Sequence, residues 1–266
     1  MPAAELTTPR LPASPAPVAL FISDIHLQQD APATAEAFFD FLVRHGHRVQ
    51  QLYLLGDLFE YWAGDDDIAC PFNARVVGAL RALSDAGVTL FWMAGNRDFL
   101  IGERFANATG ATLLPDPSVV TIAGRTIVLT HGDACCTDDV DYQAFRRQVR
   151  DCDWQRDFLA RPLAQRLAMI DRMREGSRVA QRAKSDAIMD VNAQAIAALF
   201  AGTDTRLMIH GHTHRPATHE GTVDGTPCIR YVLPDWDVAQ APARGGGIAI
   251  DASGVVSHLR LPTLLN

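Results

Sequence analysis

The sequence predicts a layered α/β fold, and three observations support this prediction. Short apolar runs recur along the chain, most of them end at a polar residue, and helical stretches separate the early ones. The chain has 266 residues, of which 48% are hydrophobic, so it can bury a full core. Because α/β proteins place their functional sites at the carboxyl ends of strands, the polar residues there are the candidates for function.

Five apolar runs are typical of buried strands, and each is followed closely by a side chain that can bind a metal. Helical stretches from about Thr34 to His45 and Asn73 to Ala86 separate the first three runs. This alternation predicts a sheet that gathers the metal-binding side chains at one edge. The five runs are Val18 to Ser23, Gln51 to Leu55, Val88 to Met93, Thr126 to Thr130 and Arg206 to Ile209.

The segment 135–200 interrupts the alternation, and we interpret it as an inserted helical cap. Residues spaced four, four, three and three apart predict one apolar helical stripe, which we expect to pack on the core rather than line an acyl groove. Pro162 is compatible with the first turn of a helix. The stripe consists of Leu159, Leu163, Leu167, Ile170 and Met173.

The remaining chain divides into a tail and a core. Residues 1–17 are rich in Pro and Ala, which predicts a flexible tail. The core would comprise residues 18–134 and 201–266. Its later strands are expected at Cys228 to Leu233, Gly247 to Asp251 and Val255 to Leu259.

Charge is distributed unevenly. The net charge is −7, yet residues 143–184 carry 11 basic against five acidic residues, an excess of +6. This basic segment either meets phosphate groups of a substrate or lipid surface, or is a solvated helix face. The acidic remainder argues against a nucleic-acid partner.

Cysteine use and hydropathy bear on the location of the chain. Five cysteines without paired ligand spacing, and no secretory signal, favour a reducing cytoplasm. No apolar window is long enough to span a membrane, so membrane association would be peripheral.

Seven side chains form the candidate metal site. In an extended segment Asp24 and His26 would point to the same side, and Gly56 lets the chain turn sharply before Asp57. Two Asp, one Asn and four His suit two ions, of Mn²⁺, Fe²⁺, Zn²⁺ or, less readily, Mg²⁺. Two such ions roughly 3.5–4 Å apart would hold a bridging hydroxide for in-line attack on a phosphate. The candidates are Asp24, His26, Asp57, Asn96, His131, His212 and His214.

Other polar residues have simpler interpretations. His210 is expected to be a packed core histidine, and Cys135 and Cys136 are expected to be packing residues. The run from Asp65 to Asp67 is interpreted as a solvated loop in preference to a cation site.

The motifs D-x-H, G-D, G-N, H-G-D and G-H-T-H, in this order, resemble the calcineurin-like metallophosphoesterases from Val18 to about Leu261. The resemblance implies a layered β-sandwich flanked by helices, with an inserted helical cap. GNRDFL, GDLFEYWAGDD, HGDACCTDD, IMDVN and GHTHRP are similar to one branch, which cleaves the diphosphate of UDP-linked diacylated glucosamine in lipid A biosynthesis. That branch implies a Mn²⁺-dependent hydrolase, peripheral on the cytoplasmic face of the inner membrane.

The resemblance also implies roles for individual residues. One metal would bind Asp24, His26, Asp57 and His214, and the other Asp57, Asn96, His131 and His212. Catalytic roles would fall to Asp57, Asn96, Arg97 and His131. Substrate contacts would come from Asn96, Arg97, Asp139, Ser177, Gln181, Lys184 and His212. Ser177, Gln181 and Lys184 are spaced four and three apart and therefore share one helix face, although Gln181 stands where the branch usually has Asn.

Two alternative functions remain open at the level of sequence. A soluble metallophosphodiesterase or phosphatase acting on another nucleotide or phosphoester would need no lipid-binding cap. A non-catalytic scaffold on the same fold would be expected to lack some ligands, whereas all seven are present here.

Overall fold

The computed structural model describes residues 17–182 and 188–261, and it describes all of these side chains except those of residues 177–182. Apart from Pro17, the predicted flexible tail therefore lies outside the described residues. No helix in the described part of the chain is long and apolar enough to cross a membrane.

The described residues form two sheets. Six strands make the first sheet, in the order β11-β10-β1-β2-β3-β4, in which β1 to β4 are parallel. Their bounds are β1 (Pro17–Ile22), β2 (Gln51–Leu55), β3 (Thr89–Met93), β4 (Ala111–Leu114), β10 (Gly246–Asp251) and β11 (Val256–Arg260).

The second sheet has five strands in the order β5-β6-β7-β9-β8. Strands β6, β7 and β9 are parallel, and β5 and β8 pair antiparallel at the two edges. Their bounds are β5 (Ser118–Ile122), β6 (Arg125–Thr130), β7 (Leu207–His210), β8 (Ala217–Val223) and β9 (Thr226–Val232).

Seven α-helices lie among the described residues. Pro32 and Pro71 begin the first two helices, where the missing N–H of proline costs no helical hydrogen bond. The helices are α1 (Pro32–His45), α2 (Pro71–Asp85), α3 (Glu103–Thr109), α4 (Val140–Val149), α5 (Cys152–Leu159), α6 (Leu163–Arg182) and α7 (Ala193–Thr203).

The two sheets pack face to face, and helices cover both outer faces. Alternate residues of one strand serve the two faces, as Phe21 joins the cluster between the sheets while Leu20 joins the cluster beneath α1, α2 and α3. On the other side, Phe200 of α7 packs against Val128 and Met208 of the second sheet. This arrangement confirms the predicted layered β-sandwich flanked by helices.

The predicted apolar stripe divides between two helices. Leu159 is the last residue of α5, and its side chain is exposed. The helix ends before Pro162 because proline inside a helix removes a backbone hydrogen bond. The other four residues lie on α6, where Ile170 is buried and the rest are partly buried against the core. The stripe therefore packs on the core, as expected, but it begins at Leu163.

The end of the predicted cap at residue 200 falls within α7. That helix begins at Ala193 with Asn192 as its N-cap and packs on the second sheet. Helices α4, α5 and α6, by contrast, lie before residues 183–187.

Candidate metal centre

The seven predicted ligands come together at one edge of the sandwich. Asp24, Asp57 and Asn96 follow the parallel strands β1, β2 and β3 of the first sheet, whereas His131 and His212 follow β6 and β7 of the second. The centre therefore lies where the carboxyl ends of strands from both sheets meet.

Five of the seven residues have a left-handed backbone, with φ between 53° and 69°. This conformation is uncommon for residues other than glycine and requires support from the surrounding structure. The extended geometry expected for the Asp-x-His pair is therefore wrong, since both residues turn out of the strand direction. The five are Asp24, His26, Asp57, His212 and His214.

Two glycines let the loops approach each other closely. Gly56 has φ +87°, and a Cβ there would lie 2.5 Å from His131 Nδ1. A Cβ on Gly95 would collide with the backbone nitrogen and carboxylate of Asp57. Both positions therefore require glycine, as the sharp turn predicted before Asp57 implies.

One cluster of donors surrounds Asp24. His214 Nε2 lies 3.5 Å from Asp24 Oδ1 and 3.3 Å from His26 Nε2. Asp24 is fully buried, and its Oδ1 accepts no hydrogen bond among the described residues. A buried carboxylate oxygen beside two imidazole nitrogens suits a cation, because an uncompensated buried charge is costly.

The other cluster surrounds Asn96. Its Oδ1 lies 2.8 Å from His212 Nδ1 and 2.9 Å from His131 Nε2. His131 Nδ1 donates a hydrogen bond to the carbonyl of Leu55 at 2.9 Å, so a neutral His131 presents a lone pair at Nε2. That lone pair and the amide oxygen face each other, which requires either a proton or a cation between them.

Asp57 lies between the two clusters. Its Oδ2 is 4.0 Å from His26 Nε2, whereas its Oδ1 is 3.8 Å from His131 Nε2. One carboxylate thus presents one oxygen to each cluster, which is the arrangement that a bridging ligand needs. The donor set fits two divalent ions.

The electrostatics reflect this excess of buried carboxylates. Burial by itself would lower the pKa of His131, but the charges of Asp57, Asp24 and Asp133 raise it to about 9. Burial and the neighbouring His131 lower the pKa of His212 to about 4. Burial would raise the pKa of Asp24, yet the neighbouring His214, His131 and His26 keep it well below its usual range. The site is therefore poised to bind positive charge.

Four carboxylates outside the predicted set support the ligands. The carboxylate of Asp98 is fully buried and accepts hydrogen bonds from the backbone nitrogens of Asp57, Leu58, Phe59 and Gly95 at 2.9–3.4 Å. It thereby joins the loops that follow β2 and β3. Its sequence signal was its place in GNRDFL, directly after Arg97.

The second of these carboxylates is Asp133, which accepts from Tyr142 Oη and Arg146 Nε, both at 2.8 Å. Glu60 Oε2 lies 3.0 Å from His26 Nδ1, and Asp235 Oδ2 lies 3.7 Å from His214 Nδ1. Burial would raise the pKa of Glu60, but the adjacent His26 imidazole and the charges of Arg97 and Arg174 lower it to about 2. Glu60 and Asp133 follow the ligands Asp57 and His131 in sequence, and Asp235 lies in a late loop. Hydrophobic periodicity does not identify residues in such loops.

The predicted substrate residues are only partly described. The Arg97 backbone N–H donates to Asp57 Oδ1 at 2.8 Å, and its buried Nε makes no hydrogen bond among the described residues. Asp139 is the N-cap of α4 and accepts from the Tyr142 backbone N–H at 3.0 Å. Ser177 and Gln181 lie on α6, but their side chains are outside the described set, and Lys184 lies entirely outside the described residues.

His210 is a buried core histidine, as predicted. Its Nδ1 donates to the Gly211 carbonyl at 2.8 Å, and its Nε2 accepts from Arg230 Nη1 at 2.9 Å. Burial and the Arg230 charge lower its pKa to about 3. Cys135 and Cys136 are buried with pKa values raised by burial to about 11 and 12, which fits packing residues.

The aspartate run at residues 65–67 is a set of structural acceptors rather than a solvated loop. Asp65 accepts from Trp62 Nε1 at 3.0 Å and from three backbone nitrogens at the start of α3. Asp66 pairs with the buried Arg166, and Asp67 accepts from Asn73 Nδ2 at 3.2 Å. The interpretation as a solvated loop is therefore wrong.

The fold and the donor set define the class of protein. The chain belongs to the calcineurin-like phosphoesterase family, whose model matches residues 18–216, and it is a metal-dependent hydrolase. Within that family it is similar to proteins named UDP-2,3-diacylglucosamine hydrolase. The one from Aromatoleum aromaticum is 52% identical over 218 residues, which cover 82% of this chain and 89% of that protein. The one from Chromohalobacter salexigens is 47% identical over 232 residues, or 87% and 92% of the two chains.

Solved structures of low sequence identity were also found. An archaeal phosphodiesterase superposes with a TM-score of 0.46 at 12% identity, covering 91% of this chain and 99% of that one. Zinc-bound Vps29 from Entamoeba histolytica superposes with a TM-score of 0.45 at 16% identity, covering 91% and 97%.

Proposed function

We propose that this chain hydrolyses the diphosphate bond of UDP-2,3-diacylglucosamine to UMP and 2,3-diacylglucosamine 1-phosphate, a step of lipid A biosynthesis. The observation that carries the proposal is the complete set of seven donors around Asp57, in a chain about half identical to hydrolases named for this substrate. When bound, two divalent ions would supply Lewis-acid chemistry and would lower the pKa of water.

We assign the seven side chains of the sequence motifs to two metal ions. Asp24, His26 and His214 would bind one ion, Asn96, His131 and His212 the other, and Asp57 both. The first three lie within one cluster of donor atoms, and Asp24, Asp57 and His131 form another. We propose Mn²⁺ because the donors are oxygen and imidazole nitrogen without thiolate, which also suits Fe²⁺ and Zn²⁺. Activity of metal-stripped protein refilled with each ion would decide among them.

Arg97 would bind the diphosphate. A guanidinium can hold two phosphate oxygens at once, and the buried Nε of Arg97 has no hydrogen-bond partner among the described side chains. Arginine cannot donate a proton at neutral pH, so the leaving group must depart as an anion. A sugar 1-phosphate meets this requirement because it is a weaker base than a sugar hydroxyl.

The segment 135–200 would act as a substrate-binding cap on a core of residues 18–134 and 201–266. Asp139, Ser177, Gln181 and Lys184 would contact the substrate from this cap, together with Asn96, Arg97 and His212 of the core. The spacing of four and three between Ser177, Gln181 and Lys184, which predicts one shared helical face, supports this assignment.

Peripheral binding to the cytoplasmic face of the inner membrane would bring the protein to its lipid substrate. The described part of the cap exposes Val140, Phe145, Leu159 and Ile188, and it also exposes arginines such as Arg147, Arg156 and Arg161. Sedimentation with vesicles containing anionic phospholipid should exceed that with zwitterionic vesicles and should fall as salt rises. Equal recovery with both vesicle types would contradict the electrostatic part of this proposal.

The decisive experiment is incubation with UDP-2,3-diacylglucosamine and Mn²⁺ in ¹⁸O-water, followed by mass spectrometry of the products. Label in UMP is expected if water attacks the phosphorus nearer uridine, and label in the lipid 1-phosphate would reverse the proposed orientation of the diphosphate. Turnover of bis(p-nitrophenyl) phosphate without turnover of the acylated substrate would favour a soluble phosphodiesterase. No turnover of either would favour a scaffold.

A further inference from the structure

Glu60 contacts a metal ligand and the helical cap at the same time. Its Oε2 lies 3.0 Å from His26 Nδ1, which is an ion-pair contact on the side of the ring opposite Nε2, and Nε2 lies 3.3 Å from His214 Nε2. Its other oxygen, Oε1, accepts a hydrogen bond from Arg174 Nη2 at 3.0 Å. Glu60 is 18% exposed, which limits screening of both contacts by water.

Arg174 is held where it meets Glu60. The same Nη2 donates to Gln28 Oε1 at 3.3 Å, and the guanidinium lies 5.1 Å from the centre of the Tyr61 ring. Gln28 lies two residues after His26, and Tyr61 lies next to Glu60. Helix α6 is thus attached to both loops that flank this part of the metal centre.

A second ion pair attaches the chain on the other side of residues 183–187. Asp190 Oδ2 accepts from Arg215 Nη1 at 2.7 Å, and Arg215 directly follows His214 in sequence. His214 Nε2 in turn lies 3.3 Å from His26 Nε2. The described chain on both sides of this segment is therefore tied to loops that carry ligands of the same metal cluster.

We propose that Glu60 is a positioning residue that couples this metal cluster to helix α6, so that metal binding at His26 and substrate binding by the cap strengthen each other. The first half of the proposal concerns the metal alone, and the second half rests on the proposed function. Thermodynamic linkage makes this coupling reciprocal. If a ligand bound to the cap raises the affinity for the metal by some factor, the metal raises the affinity for that ligand by the same factor.

Metal binding tests the first half. Titration of metal-stripped Glu60→Gln with Mn²⁺ by calorimetry should show one equivalent weakened by about 10- to 100-fold and the other unchanged, as expected for loss of a carboxylate behind a ligating histidine. Glu103→Gln is the matched control, because Glu103 is an exposed glutamate on α3. A thermal melt checks folding of both variants. Wild-type affinity for both equivalents in Glu60→Gln would overturn the proposal.

Product binding tests the coupling. Detergent-solubilised 2,3-diacylglucosamine 1-phosphate should tighten the weaker Mn²⁺ equivalent at least about fivefold in the wild type, and clearly less in Arg174→Met. Arg172→Met is the matched control on the same helix, since the Arg172 side chain is exposed. Equal tightening in Arg174→Met and Arg172→Met would overturn the coupling. Failure of the wild type to hydrolyse the acylated substrate would refute the proposed function, whereas the Mn²⁺ titration of Glu60→Gln would still decide the role of Glu60.

Discussion

The metal centre and the helices α4 to α6 hold their functional groups in different ways. Metal-ligand candidates such as Asp24, Asp57 and His131 are buried at strand ends, and their loops are joined by short backbone hydrogen bonds. The helices pack on the core with apolar residues such as Phe158 and Ile170, and they also reach it through long arginine side chains. Arg150 donates to the Gly95 carbonyl at 2.8 Å, and Arg174 donates to Glu60 at 3.0 Å.

The contacts of individual arginines show what the basic segment 143–184 does, which its net charge alone did not reveal. Arg146, Arg150, Arg166 and Arg174 neutralise carboxylates or bind carbonyl oxygens of the core, whereas others, such as Arg172, face solvent. Part of the excess of positive charge is therefore used internally. The comparison teaches that chemistry depends on a buried, strained scaffold, whereas attachment of the helices combines apolar packing with separable polar contacts.

Replacement of the shared ligand should have the largest effect. Asp57→Ala removes the oxygens that face both donor clusters, so turnover should fall by more than about 10³-fold, equivalent to ~4 kcal/mol of transition-state stabilisation. Elemental analysis should show fewer than two bound Mn²⁺ per chain. A loss in turnover of about tenfold or less would contradict the shared role.

Truncation of apolar side chains should distinguish the two regions by stability. Leu80 of α2 is fully buried, so Leu80→Ala should lower the free energy of unfolding by about 2–5 kcal/mol. Leu167 of α6 is only partly buried, so Leu167→Ala should cost about 1 kcal/mol. Urea unfolding followed by circular dichroism measures both. Equal losses would mean that α6 is as tightly packed as the core.

A charge in the cap should affect substrate choice rather than chemistry. Lys184 is predicted from sequence to share a face with Ser177 and Gln181, so Lys184→Ala should lower kcat/KM for the acylated substrate by about tenfold, or 1.4 kcal/mol. The effect on bis(p-nitrophenyl) phosphate should be much smaller. Equal losses on both substrates would indicate damage to folding, and no loss would favour a solvated helix face.

The smallest effect is expected at an exposed ion pair. On α5, Arg156 Nη1 lies 2.6 Å from Asp153 Oδ1, and most of both side chains is exposed to water. Arg156→Ala should change the free energy of unfolding by less than about 0.5 kcal/mol, because solvent screens such pairs. A loss above about 1 kcal/mol would show that exposed arginines also stabilise these helices.

Strands and helices with strong local patterns were predictable. The run at 51–55 matches β2 at both ends, since continuous apolar residues identify a strand that is buried on both faces. Strand β8 was missed because its sequence, ATHEGTV, is polar and the strand lies exposed at a sheet edge. The break between α5 and α6 was missed because Pro162 was interpreted as a residue of a first turn within one continuous stripe.

The sequence by itself determined which residues can bind metals and the order in which strands present them, because ligand chemistry and hydrophobic periodicity are properties of short segments. Only the tertiary structure decided how these residues are held. The left-handed backbones at Asp24 and Asp57, the four backbone donors around Asp98, and the burial of Arg166 all depend on loops from distant parts of the chain. His26 and His214 are 188 residues apart and still meet at 3.3 Å, because strands from two sheets end at the same edge. A local pattern contains no record of such contacts, since their geometry is set by the order and packing of the strands.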